Sequence, residues 1–406
     1  MSKHRMFRPA PYLLAMFLLC VMPGHAQGEF VRLGDLPGGL FASVALAISA
    51  DGTTVVGSAA STFGPVIDEA FRWTEATGMV PLGTLPGYSN SRAISVSADG
   101  AVVAGFSQTE LVSGLLFEGF RWTQAAGLES LGSANTLAWG ISGDGLVVVG
   151  EVLGGEAFRW TQATGFISIG PGIARGVSAD GSVVVGGGTH GFRWTQETGQ
   201  QPMGGVAWGV SADGSVVVGF SSGEAFRWTQ ATGLVGLGDL PGGEFYSSAR
   251  VVSADGTVVV GVSAGALEHE AFLWDEVNGM RSLRDVLVAQ GDNLTGWHHL
   301  TAQGVSADGQ TIVGWGINPR GQTEGWLARL GRPSEVAEPS TVTLLGIGSL
   351  AMLLCSGVLG ERRRSKHVIA DSLKNIMGPS VQPSIWGARA LPPVAGGTQR
   401  WLGATR

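Results

Sequence analysis

The chain has 406 residues, 66 of them glycine and only two cysteine, Cys20 and Cys355, so residues 27–332 hold no thiol for a disulfide or a cysteine-type zinc site. The formal net charge of −7 hides a split, because 27–332 hold 28 Asp and Glu against 14 Arg and no Lys, a balance of −14. A region this acidic repels phosphate backbones and anionic lipid, which argues against a nucleic-acid partner.

The chain opens with Lys3, Arg5 and Arg8, an apolar run over 12–22, and Gly24-His25-Ala26 before Gln27. That is the charged, apolar and small-residue order of a secretory signal peptide, expected over 1–26 and too short in its apolar part to span a membrane.

A repeat then occupies 29–331. A Ser-x-Asp-Gly element recurs at Asp51, Asp99, Asp144, Asp180, Asp213, Asp255 and Asp308, each time followed by an apolar run that ends in Gly, as in Val147-Val148-Val149-Gly150. Downstream lies an aromatic segment: Phe71-Arg72-Trp73, Phe120-Arg121-Trp122, Phe158-Arg159-Trp160, Phe192-Arg193-Trp194, Phe226-Arg227-Trp228, Phe272-Leu273-Trp274 and the weaker Trp326-Leu327-Ala328. Gly and Pro turns separate these pieces, most fully in Leu33-Gly34-Asp35-Leu36-Pro37-Gly38-Gly39.

Asp-Gly between strand residues predicts a two-residue type I′ hairpin, and hence antiparallel neighbours. Runs of Val without polar alternation predict strands covered on both faces. Each copy offers four short strands, and an antiparallel four-stranded unit at this period is a propeller blade rather than a rung of a parallel β-helix. The expected fold is therefore all-β, a seven-bladed β-propeller. The shortest copy, with Asp180 and Asp213 only 33 residues apart, is expected to lack its outer strand. The repeat region begins and ends inside a copy, so 30–36 should pair with 325–330 and close the ring without an exposed edge.

After the repeat come a linker over 332–340 with Glu338-Pro339-Ser340, a charge-free segment over 341–360, and Arg362, Arg363 and Arg364. Twenty residues without a charge are long enough for a transmembrane helix, and the adjacent positive charge places 361–406 inside and the repeats outside. The remaining tail, with Pro379, Pro383, Pro392 and Pro393, has no periodicity and is expected to be disordered.

Two resemblances rest on these motifs. The repeated Ala-Phe-Arg-Trp-Thr, Leu-Gly-Asp-Leu-Pro-Gly-Gly and Ser-Ala-Asp-Gly elements resemble the HAF-type extracellular repeat over about 29–331, with Glu69, Glu156, Glu224 or Gly119 in place of the tripeptide's His. Glu338-Pro339-Ser340, the apolar segment and Arg362 to Arg364 resemble the PEP-CTERM sorting signal, with Ala337 where the first Pro would stand. The second resemblance implies an exosortase-type processing enzyme as a partner, and membrane anchoring or release to the matrix.

Within the repeat, the seven turn aspartates are expected to form turns rather than bind calcium, and the five repeated Arg to pair with Asp or carbonyls between blades. Six of the 13 tryptophans fill the aromatic slot and belong to blade core. The informative position follows a constant Ala on the strand before each turn, and reads Leu46, Ile94, Trp139, Arg175, Trp208, Arg250 and Gln303. Large residues there either fill the ring or meet a ligand. Trp139, Arg175, Trp208, Arg250 and Gln303 are the candidate ligand-binding residues, with the two indoles as bare platforms for a sugar ring. The acidic balance favours neutral or cationic sugars over uronate polymers. His298 and His299 lie in the longest insertion, where neighbours on a strand should point to opposite faces and share no metal.

No catalytic set, metal site or cofactor is expected. The function these features suggest is a non-catalytic exported surface or matrix protein that binds polysaccharide or a surface partner. The alternatives are a carbohydrate-active lyase or hydrolase on a propeller scaffold and a purely structural surface protein.

Overall fold

A computed structural model describes residues 28–61, 68–112, 114–188, 190–265 and 268–331. The signal peptide over 1–26, the sorting motif Glu338 to Ser340, the apolar segment over 341–360, Arg362 to Arg364 and the tail all lie outside the described residues. Among the described residues no helix is long and apolar enough to cross a membrane.

The described residues form seven four-stranded antiparallel sheets, the blades of a propeller. In a typical blade the strands Thr136–Ile141, Val147–Val152, Glu156–Thr161 and Gly165–Pro171 follow one another from the axis outward. The shortest copy corrects the expectation of a missing outer strand: Ile173–Val177, Val183–Gly187, Gly191–Thr195 and Gly199–Met203 make a complete blade. It saves length on a connection, Gly204-Gly205, not on a strand.

The closing blade joins both ends of the repeat region. Glu29–Gly34 pairs antiparallel with Thr323–Arg329, with Phe30 opposite Ala328 and Arg32 opposite Trp326, so closure runs as the broken first and last copies imply. Phe30 packs against Trp297 and Trp326, with ring centroids 5.1 and 5.7 Å away, and its N–H donates to Asp292 at 3.0 Å. Arg32 reaches the fully buried Glu324 at 2.7 Å, and Asn318 donates to the same carboxylate at 2.9 Å.

The Val runs are covered on both sides because each is sandwiched between neighbouring sheets. Val148 packs with Val102, Ala104 and Phe158 at one junction, while Val147 and Val149 pack with Val184 and Phe192 at the next. Each such Val or Phe contributes about 1.5–3 kcal/mol on burial, so the seven junctions carry the fold. The aromatic-slot tryptophans belong to the same layers: Trp73, Trp122 and Trp194 are buried, and Trp160, Trp228 and Trp274 pack at their edges.

The Ser-x-Asp-Gly turns are not the expected type I′ hairpins. Only the glycine takes a positive φ, +73° at Gly52, and none of the seven aspartates does. The aspartate acts through its side chain instead: Ser49 Oγ and the Thr53 N–H both donate to Asp51 Oδ1, and the Thr54 N–H donates to Ser49 Oγ at 3.0 Å. These bonds hold Asp51 below the ordinary carboxylate pKa although burial pushes it up, and the same set recurs in every blade. Neighbouring turns then join in a closed circuit of backbone hydrogen bonds. Ala50 donates to Ala98, Ala98 to Gly143, Asp144 to Ala179, Ala179 to Ala212, Ala212 to Ala254, Ala254 to Ala307 and Ala307 back to Ala50.

The repeated Arg side chains tie blade to blade as expected. Arg72, Arg121, Arg159, Arg193 and Arg227 donate to the carbonyls of Gly100, Gly145, Gly181, Gly214 and Gly256, each in the next blade's turn. Where the slot holds Leu273 the junction is apolar, and the insertion covers it with a short helix that the sequence reading did not foresee. That helix, Leu283–Ala289, is capped by Ser282 and buries Leu283 and Leu287 against Leu294 and Trp297.

Candidate functional site at the channel

In every blade the innermost strand breaks register at one shared place, between Ala45 and Ala47, Ala93 and Ser95, Ala138 and Gly140, Ala174 and Gly176, Ala207 and Gly209, Ala249 and Val251, and Ala302 and Gly304, and two blades carry a second break elsewhere. The skipped residue is the one that varies between copies. A β-bulge frees that residue from the ladder and re-aims its side chain. Leu46, Ile94, Trp139, Arg175, Trp208, Arg250 and Gln303 thereby line one central cavity of about 370 Å³.

The constant glycine opposite the bulge is what permits this geometry. A Cβ on Gly150 would lie 1.9 Å from the Leu137 carbonyl oxygen and 2.8 Å from Phe158 Cζ. The innermost strand and the ring from the third strand both press on the bare backbone, and no side chain fits between them.

Four consecutive blades put their bulged side chains into one stacked row. The Arg175 guanidinium lies over Trp208 at 4.1 Å and over Trp139 at 5.6 Å, and that of Arg250 lies over Trp208 at 4.6 Å. Cation–π contact accounts for the attraction. Trp139 is fixed further by Phe106, edge-on at 5.8 Å, and by a 3.1 Å hydrogen bond from its Nε1 to Glu151. The sequence reading missed Glu151, although it too breaks the repeat: the residue after the strand glycine is Ser58, Phe106, Gly187, Phe220, Val262 or Trp315 elsewhere.

Donors exceed acceptors along this row. Arg175 Nε, Trp208 Nε1 and Arg250 Nε are buried without a hydrogen-bond partner, and neither arginine forms an ion pair among the described residues. A buried unpaired donor costs about 1–3 kcal/mol, so the row is set to receive acceptor atoms. Burial pulls both guanidinium pKa values down, partly offset at Arg175 by Glu151. Arginine remains a cation under such shifts.

Two expectations change here. Trp208 already carries two guanidiniums on its ring, so it is a support for the arginines and not a bare platform for a sugar. The net balance of −14 also does not describe the cavity, whose only charged lining side chains among the described residues are Arg175 and Arg250. Gln303, Leu46 and Ile94 line the other side. His298 and His299 do not point to opposite faces: their rings are 5.1 Å apart because His299 takes a φ of +52°. Among the described residues no group of three metal-ligating side chains comes together.

No family model matches the chain, and no curated protein matches it. Among solved structures, an oligogalacturonate lyase in complex with manganese is similar over 76% of this chain and 99% of its own, at 15% identity and a TM-score of 0.47. That finding corrects the expectation that the chain is no enzyme: the similar structure is an enzyme.

Proposed function

We propose that the chain is an exported surface propeller that binds polysaccharide at its channel through Trp139, Arg175, Trp208 and Arg250. The observation that carries this reading is the shared bulge, which turns four neighbouring large side chains into one cavity with unpaired buried donors. Hydroxyl-rich ligands supply the acceptors such a row lacks, and a cavity of about 370 Å³ lies within the usual range for small-ligand sites. Export by 1–26, anchoring by 341–360, and sorting at Glu338, Pro339 and Ser340 with Arg362, Arg363 and Arg364 belong to the same proposal. They are supported by the HAF-type and PEP-CTERM resemblances.

A glycan array probed with the detergent-solubilised full-length protein tests it. Binding should be lost in the Trp139→Leu, Trp208→Leu double variant, which should still fold cooperatively, with a lower melting temperature from the lost guanidinium and Glu151 contacts, since Leu46 shows that the position accepts Leu. Binding that survives in the folded double variant would move the site elsewhere.

A further inference from the structure

We infer that the channel recognises an acidic saccharide, with a uronate carboxylate held between Arg175 and Arg250. The inference rests on the saccharide reading of the same cavity and specifies its ligand class.

Three observations carry it. The two guanidiniums lie against a single indole, Trp208, at 4.1 and 4.6 Å, reaching it from the blades on either side of the one that carries it. Neither guanidinium forms an ion pair among the described residues, which leaves its charge for a ligand. A guanidinium edge presents paired donors that match the two oxygens of a carboxylate. Arg175 Nε, Arg250 Nε and the intervening Trp208 Nε1 are buried without a partner, a run of donors facing no protein acceptor. Finally, the repeated Arg of the third strands are spent on turn carbonyls, whereas these two are not. Among the described residues they are the cavity's only charged lining groups.

The acidic surface does not oppose this. The seven turn aspartates join the two innermost strands and so ring one end of the channel, but each is taken up by serine and backbone donors and acts through screened solvent, over about 8 Å at physiological salt, while a guanidinium in a half-enclosed cavity acts at contact. The outer field rejects long anionic polymers by repulsion and leaves a chain end or short oligosaccharide free to insert. The nearest opposing carboxylate, Glu151, is engaged by Trp139.

The test is calorimetric titration of the detergent-solubilised full-length protein with hexuronate di- to tetrasaccharides, with the same oligosaccharides after carboxyl reduction, and with sodium acetate. Reduction should weaken binding by roughly ten- to a hundredfold, the value of a charge-assisted hydrogen-bond pair. Arg175→Gln and Arg250→Gln should each remove most of that preference, with Arg175→Lys retaining part of it. Equal affinity for charged and reduced oligosaccharides would overturn the inference and leave saccharide binding standing. Acetate binding as tightly as the uronates would overturn it in favour of a simple anion site. Failure of every saccharide to bind would remove the parent reading as well. The comparison of ligands on the unaltered protein needs no variant to fold.

Discussion

The channel wall has two halves built on one backbone. In four consecutive blades the bulged residue is Trp139, Arg175, Trp208 or Arg250, and in the other three it is Gln303, Leu46 or Ile94, yet the register break falls at the same place in all seven. The scaffold therefore specifies where a side chain goes and leaves its identity open. Recognition sits in the departures from the repeat, while the constant residues hold the ring.

The strongest way to break this comparison is to attack the backbone that both halves share. Gly150→Ala, in the arginine half, and Gly57→Ala, in the aliphatic half, should each destabilise by about 3 kcal/mol or more, since in both cases the new Cβ would lie 1.9 Å from a carbonyl oxygen. Urea unfolding would show the two losses to be similar. A neutral Gly57→Ala beside a costly Gly150→Ala would mean that the halves do not share one architecture.

Much of this was legible in the sequence, and the rest was hidden for identifiable reasons. The recurring turns, the apolar runs and aromatic segments between them, and the broken end copies lead to seven blades and their closure, because the first three are local patterns repeated in nearly every copy. The lining positions were visible as the one varying residue in a constant frame. Their orientation was not, because a bulge depends on a glycine of the neighbouring strand whose pairing with the bulged strand no local pattern shows. Reading Asp51 as a positive-φ residue failed because Asp-Gly also suits a longer turn in which the carboxylate, not the backbone torsion, does the organising. The arginine-indole row escaped notice since its members are more than thirty residues apart in sequence, and a summed charge cannot show a local reversal. The Leu283–Ala289 helix is too short to show a period.

The halves should also differ in their response to pH. Next to the aliphatic half, burial raises Asp35 from 3.8 to about 6, against the lowering effect of N–H donors from Ala42 and Leu36. The folded state thus binds this proton more tightly than the unfolded chain, so Asp35 imposes no penalty below pH 3.8 and its full penalty above about pH 6. The shift corresponds to at most about 3 kcal/mol, and partial exposure reduces it to the order of 1 kcal/mol. Asp35→Asn should therefore raise the melting temperature at pH 7.5 relative to the parent, and the gain should shrink as pH falls towards 4. A gain that is constant across this range would show that Asp35 titrates normally.

The smallest expected effect concerns Glu151, the one carboxylate that serves the arginine half. It accepts from Trp139 Nε1 at 3.1 Å, and its charge favours the cationic form of Arg175. These two roles separate in Glu151→Gln, since the amide oxygen still accepts from the indole while the negative charge disappears. Stability should change by no more than about 0.5 kcal/mol, as for a partly exposed electrostatic pair. Uronate affinity should rise by about two- to threefold at low ionic strength, because Arg175 no longer shares its field with a protein carboxylate, and the gain should fade in high salt. Glu151→Ala removes the acceptor as well and should lose affinity, since Trp139 is then free to turn away from Arg175. Titration of both variants in 20 and 500 mM salt, both chosen conditions, separates charge from positioning. Weaker uronate binding by a well-folded Glu151→Gln protein would mean that Glu151 belongs to the recognition surface itself rather than to its support.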